Sequence, residues 1–147
     1  MVSQDTSAAR HFVEKRTILF GECDPAGILY TPRICEYIVE GALRFLSACL
    51  GEPFERYMFA KDLTLPARNL TVDFLRPLTW DDEIEIRAGL LEMRTHSYTV
   101  QISAFDASGN AAFSGRITQV CVGHKSRRVE AVPDNFRAGL LQGPQPD

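Results

Sequence analysis

The stretch of this sequence best equipped for chemistry is Glu22-Cys23-Asp24-Pro25-Ala26-Gly27-Ile28-Leu29-Tyr30-Thr31-Pro32. It sets one carboxylate, Asp24, on a turn where proline fixes a backbone angle and Gly27 permits geometry closed to other residues. Thr31 stands where a helix N-cap belongs, with Pro32 in the first helical position. The amides of a first helical turn lack intrahelical partners and carry partial positive charge. A carbonyl or oxyanion brought to Asp24 would therefore meet hydrogen-bond donors already in place. The plainer reading is that Asp24 only caps its own turn, because Asp-Pro-x-Gly suits turns anywhere. Cys23 adjoins Asp24, but His11, His96 and His124 show no local pairing with it, and free cysteines are usually small buried hydrophobes.

The elements that must position this turn follow from periodicity. His11 to Phe20 reads as a strand, with Phe12, Ile18 and Phe20 on one parity. Arg33 to Leu50 is the strongest helical pattern: Arg33, Glu36, Glu40, Arg44 and Ser47 form one narrow polar stripe in an otherwise apolar run. Such a helix must be wrapped, and Gly51 ends it. Within the stripe, Glu36 and Glu40 rival Asp24 as carboxylates, although Glu40 and Arg44 also have the spacing of an ion pair. Pro53 to Ala60 suggests a short second helix.

From about Leu65 the period changes to two. Leu70, Val72 and Phe74, then Ile84 and Ile86, then Tyr98, Val100, Ile102 and Ala104 alternate with polar residues, and Asn110 to His124 forms the last strand. Turn residues separate these runs, predicting short hairpin connections. Pro133 to Leu141 suggests a terminal helix. The order predicts an α+β domain over residues 11–141, with a disordered leader (1–10) and a loose tail (142–147). In it an antiparallel sheet of about five strands wraps one long central helix, and pairing with a second copy is one way to cover the sheet's edges.

Composition narrows the classes. The 147 residues suffice for one domain with a core, and 45% hydrophobic with 24% charged residues is ordinary for a globular protein. A net charge of −3 argues against general nucleic-acid binding. No run reaches the length of a membrane span, and the first residues lack the apolar core of a secretion signal. The four scattered cysteines match neither zinc spacing nor a CxxC pair; reduced thiols in a cytoplasm are the expectation.

The motif acidic-Cys-Asp-Pro-x-Gly-Ile-aliphatic-aromatic at Glu22–Tyr30 resembles that of the hot-dog-fold acyl-CoA thioesterases, in the 4-hydroxybenzoyl-CoA thioesterase branch. Phe74-x-x-Pro77-Leu78 leading to Asp82, and Arg94-x-x-Ser97-Tyr98, are weaker matches, and the similarity spans roughly Thr17 to Phe136. The resemblance implies hydrolysis of an acyl-CoA thioester without a metal or prosthetic group, coenzyme A entering only as part of the substrate. It also implies a homodimer with a continuous sheet, commonly assembling to a homotetramer, with the site at the subunit interface. Asp24 matches the catalytic aspartate, as nucleophile or general base, and the amide of Thr31 matches the donor that polarises the carbonyl.

Gly27, Tyr30 and Glu40 are the expected substrate contacts near the turn. Arg94 and the cluster Lys125, Arg127 and Arg128 are the candidates for the phosphates of coenzyme A, against the plainer reading of a solvated strand end. Trp80 reads as a packing anchor. Related enzymes often carry an asparagine and an acidic residue where this chain has Arg33 and Val39, so the acyl group of the 4-hydroxybenzoyl enzyme does not transfer. Two alternatives stand beside acyl-CoA hydrolysis: a biosynthetic acyl-carrier-protein thioesterase, and a non-catalytic acyl-binding module of the same fold.

Overall fold

The computed structural model describes residues 11–146, so the leader expected over residues 1–10 lies outside the described residues. The elements in chain order are β1 (Phe12–Thr17), α1 (Thr31–Leu50), α2 (Phe54–Lys61), β2 (Leu63–Thr64), β3 (Ala67–Phe74), β4 (Glu83–Met93), β5 (Ser97–Phe105), β6 (Ala111–Val120), β7 (Val122–Gly123) and α3 (Asp134–Gln142). Five strands form one antiparallel sheet in the order β1-β4-β5-β6-β3, and β2 pairs with β7 in a separate ribbon.

The near-continuous apolar run predicted to need a wrapping does lie against the sheet. Tyr37, Ile38, Ala42, Phe45, Leu46 and Cys49 of α1 are buried, together with the alternating Ile84, Ile86, Val100, Ile102, Ala104, Phe113 and Ile117 of the strands. Arg33, Glu36, Glu40 and Arg44 remain exposed along the predicted polar stripe. Gly51 adopts φ 72° and its amide donates to Ser47 O, closing the helix. Close approach of helix and sheet depends on Gly115, where a Cβ would collide with Ile38 and the Thr71 carbonyl.

Four details differ from the periodicity. The first strand ends at Thr17, and a 3-10 turn (Phe20–Glu22) follows, so Phe20 rotates out to 73% exposure instead of joining the inward parity. There its ring meets that of Trp80 at 6.2 Å, and Trp80, expected as a packing anchor, is 53% exposed. Glu40 and Arg44 do not pair with each other: Glu40 accepts from Arg16 (2.9 Å), and Arg44 stands 2.7 Å from Glu14 without hydrogen-bond alignment. Finally, β3 and β4 are not a hairpin. β3 pairs with β6 and β4 with β1, so residues 75–82 cross from one side of the sheet to the other.

β3 is an edge strand whose outer side pairs with nothing among the described residues, and only Val72 along it is half-buried. Leu70 and Phe74, alternating as if for a core, stay exposed because α1 packs chiefly over the central strands. Beyond α3, the segment expected as a loose tail carries Gln145, whose amide donates to Ala48 O (3.0 Å) and whose side chain donates to Cys49 O (3.3 Å) at the end of α1.

Burial pushes the Cys49 thiol up to about 12 and the Cys121 thiol up to about 11, from an ordinary value near 9. Their folded pKa values lie above the unfolded ones, so the native state holds its thiol protons after the unfolded chain has released them. This contribution is complete below pH 9 and declines as pH rises toward 11–12. Urea midpoints should therefore fall between pH 8.5 and pH 10.5, and Cys49→Ala with Cys121→Ala should flatten that slope.

Candidate active site

Residues Glu22 to Tyr30 form a narrow hairpin. Tyr30 N donates to Glu22 O (2.9 Å), Cys23 bridges Leu29, and Asp24 N donates to Ile28 O (2.8 Å). Gly27 closes the tip at φ 82°, a left-handed backbone that other residues resist, and its amide donates to Asp24 O (2.9 Å). The β3–β4 connection braces this hairpin from the side. Leu29 N donates to Leu78 O (2.7 Å), Thr79 Oγ1 donates to Gly27 O (2.7 Å), and Asp82 in turn accepts from Thr79 N (2.9 Å). The weak Phe74-x-x-Pro77-Leu78…Asp82 motif thus supplies the support of the stronger one.

Asp24 is half-buried at the tip. Its Oδ1 accepts from Ala26 N (2.8 Å) and Ile28 N (3.2 Å), the self-capped turn of the plainer reading. Its Oδ2 has no hydrogen-bond partner among the described residues, so capping occupies one oxygen and leaves the other open. The hairpin's second arm runs straight into α1. The helix starts one residue earlier than the sequence suggested: Tyr30 is the N-cap, Thr31 the first helical residue and Pro32 the second. No side chain caps this end. Arg33 N and Ile34 N both reach Tyr30 O, at 2.8 and 3.4 Å, Pro32 has no N–H, and the Thr31 amide has no partner among the described residues.

Behind the hairpin lies a cluster that periodicity did not reveal. Glu22 is 7% exposed and accepts from Tyr37 OH (2.7 Å), Leu19 N (3.0 Å) and Arg16 Nη2 (3.3 Å). The Arg16 guanidinium also donates to Glu40 and lies 3.7 Å from the centre of the Tyr37 ring. Burial, with the Glu22 carboxylate alongside, holds the Tyr37 phenol well above its ordinary pKa, so it remains a donor. Glu40, a candidate substrate contact, is thus engaged by Arg16. The signal was the shared parity of Phe12, Glu14, Arg16 and Ile18, which puts two charges on the inward face of β1. Arg33 pairs with Glu36 at 3.2 Å, and Tyr30 is 52% exposed.

The basic candidates lie elsewhere. Arg94 borders a cavity of about 520 Å³ with Arg68, His96, Ser97 and Val129. It forms an ion pair with Glu92 at 3.0 Å. Lys125, Arg127 and Arg128 occupy the turn after β7, where Gly123 N donates to Arg128 O and Arg127 N to Gly123 O. Val129, next to Arg128, joins that turn to the Arg94 cavity. Asp24 borders neither this cavity nor those beside Arg16 and Glu83 or beside His11 and Gln101.

The hairpin packs near the Glu83 end of β4, whereas Arg94 follows its other end. The strand's 11 residues separate them by roughly 30 Å at 3.2–3.4 Å per residue. One chain therefore brings Asp24, Gly27, Tyr30 and Thr31 together but not the four basic residues. His96 stands beside Arg94 in the same turn between β4 and β5, whereas Arg68 was missed because only the sheet brings β3 to that turn. Among the described residues no cluster of ligands suited to a metal occurs, and no helix is long and apolar enough to cross a membrane.

Comparison with known proteins gives a consistent picture. Residues 18–140 match the family described as the thioesterase-like superfamily. The chain is 23% identical over 134 residues, 89% of each protein, to 1,4-dihydroxy-2-naphthoyl-CoA hydrolase of Thermosynechococcus vestitus. It is 22% identical over 139 residues to 4-hydroxybenzoyl-CoA thioesterase of Pseudomonas sp. (strain CBS-3), covering 92% of this chain and 94% of that protein. The structure of a gentisyl-coenzyme A thioesterase superposes with a TM-score of 0.78 and 25% identity, covering 88% of this chain and 99% of that one.

Proposed function

Because the chain belongs to the thioesterase-like superfamily, with its hot-dog fold, we propose that it is a thioester hydrolase that cleaves an acyl-CoA to the free acid and coenzyme A. The observation that carries this reading is that Asp24 Oδ2 and the Thr31 amide, at the tip and the far arm of one hairpin, both lack a partner among the described residues. The names of the two relatives, both enzymes acting on acyl-CoA thioesters, support the substrate class.

In this mechanism the thioester carbonyl oxygen accepts from Thr31 N–H, and the helix's first turn adds partial positive charge where the oxyanion develops. Asp24 Oδ2 either attacks the carbonyl carbon, giving a mixed anhydride that water then opens, or takes a proton from a water that attacks. In both routes the C–S bond breaks and coenzyme A leaves as a thiolate that takes up a proton. Asp24 gives up no hydrogen bond of the turn in either route, because the two amide donors are bound to Oδ1 and the chemistry takes place at Oδ2. Gly27 and Tyr30 flank the site as substrate contacts.

A second copy completes the site in this reading. Two β3 edges pairing antiparallel about a two-fold axis give a continuous sheet and cover Leu70 and Phe74. They also set the Arg94 end of one sheet beside the Asp24 end of the other, because the two ends of one chain lie roughly 30 Å apart along β4. Arg94, Lys125, Arg127 and Arg128 then serve the phosphates of a coenzyme A whose thioester is held across the interface. Such dimers assemble further to a tetramer, and four free cysteines suit a cytoplasmic protein.

The test is thiol release from a panel of aromatic and aliphatic acyl-CoAs and from matched acyl-carrier-protein thioesters. Turnover of at least one acyl-CoA above its carrier-protein counterpart is the expected result. Preference for the carrier-protein thioesters, or tight acyl-CoA binding without hydrolysis of any member, would overturn it. Sedimentation of the same protein at the mass of one copy would remove the shared site.

A further inference from the structure

We propose that Glu22 is a positioning residue for Asp24, an inference that rests on the catalytic reading of Asp24 given above. A buried carboxylate is costly unless it is paired and hydrogen-bonded. Glu22 meets that demand by joining three points of the fold: Arg16 at the end of β1, Leu19 N at the cap of the 3-10 turn, and Tyr37 in the second turn of α1. Its own main-chain carbonyl accepts Tyr30 N, the bond that closes the base of the hairpin.

Two residues beyond Glu22 is Asp24, and one beyond Tyr30 is Thr31. The side chain of Glu22 therefore anchors the hairpin to sheet and helix, while its carbonyl fixes the arm that ends in the oxyanion donor. Glu22 thus holds the base of the hairpin from which both the Asp24 carboxyl and the Thr31 donor extend. Arg16 strengthens the anchor by bonding Glu22 and Glu40 together while its guanidinium covers the Tyr37 ring. Packing alone has no need of charge here, since buried ion pairs are often replaceable by apolar groups at no cost in stability. What an apolar group would not supply is a direction for the Asp24 arm.

The experiment compares Glu22→Gln, Tyr37→Phe, Asp24→Asn and the double variant Glu22→Gln/Asp24→Asn in the full-length protein. Glu22→Gln keeps an acceptor for Tyr37 OH and Leu19 N but loses the pair with Arg16. Its kcat should fall by roughly 10²-fold, as for a misplacement of about 1 Å, with KM within about twofold. In the double variant the Glu22 substitution should add under about threefold, because the group it positions is already gone. Hydrogen exchange at the Ala26 and Ile28 amides, which bind Asp24 Oδ1, should accelerate in Glu22→Gln while β5 amides stay protected.

A kcat for Glu22→Gln within about threefold of wild type, with unchanged exchange at those amides, overturns the proposal. So does full additivity in the double variant, the mark of a structural residue. Full turnover by Asp24→Asn would instead overturn the reading of Asp24, and the exchange data alone would then decide whether Glu22 holds the hairpin. If Glu22→Gln does not fold, Tyr37→Phe, which leaves the Arg16 pair in place, carries the same comparison.

Discussion

Asp24→Asn should lower turnover by at least ~10²-fold, the range for lost acid–base catalysis, while the protein folds as before. The geometry makes this substitution unusually selective. Asparagine keeps a carbonyl oxygen that can accept from Ala26 N and Ile28 N as Asp24 Oδ1 does, so the cap of the turn survives. What changes is the other atom: a carboxyl oxygen with no partner among the described residues becomes an NH2 group that neither attacks a carbonyl nor accepts a proton from water. If Asp24 were only a turn cap, kcat would be near normal. Thiol-release kinetics alongside circular dichroism checks both halves, and a near-normal rate would remove Asp24 from the chemistry. KM should move little, because the lost interaction forms as the bonds change and not on binding.

Thr31→Pro should also cost roughly 10²–10³ in kcat, the effect of deleting one oxyanion donor. Proline removes the amide hydrogen and nothing else that the fold uses: Thr31 N has no partner among the described residues, so no structural hydrogen bond is lost. The first helical position tolerates proline. The preceding residue, Tyr30, already has φ −66° and ψ 130°, the extended geometry that a following proline demands. Stability should therefore stay within about 0.5 kcal/mol of wild type, as for a surface change. Thr31→Ala, which keeps the amide, should retain most activity. Loss of activity in Thr31→Ala to the same degree would place the function in the threonine side chain instead of the backbone.

Of the candidate residues, those legible in the sequence were the ones whose neighbours are close in the chain. The Asp24 turn, the proline and glycine that shape it and the helix start all lie within one short stretch, so residue types alone carried them. The helix was legible because its polar stripe has the period of 3.6. Glu22 was part of the recognised motif yet gave no hint of its role, since its partners Arg16 and Tyr37 come from a strand and a helix on either side. Glu40 and Arg44 show the converse: spacing suggested one local pair, and β1 offered each a different partner.

Sequence alone determined the helix, the strand-rich second half and the placement of one carboxylate at a helix start, because periodicity and turn chemistry are local properties. Only the tertiary structure decided that β3 lies at the far edge of the sheet from β1, that residues 75–82 brace the Asp24 hairpin, and that the basic candidates stand at the opposite end of β4. Strand order depends on contacts between residues far apart in the chain, and the alternation of side chains along a strand says which face is apolar but not which neighbour it meets. The open edge of β3 is therefore visible only once every other strand has found its partner.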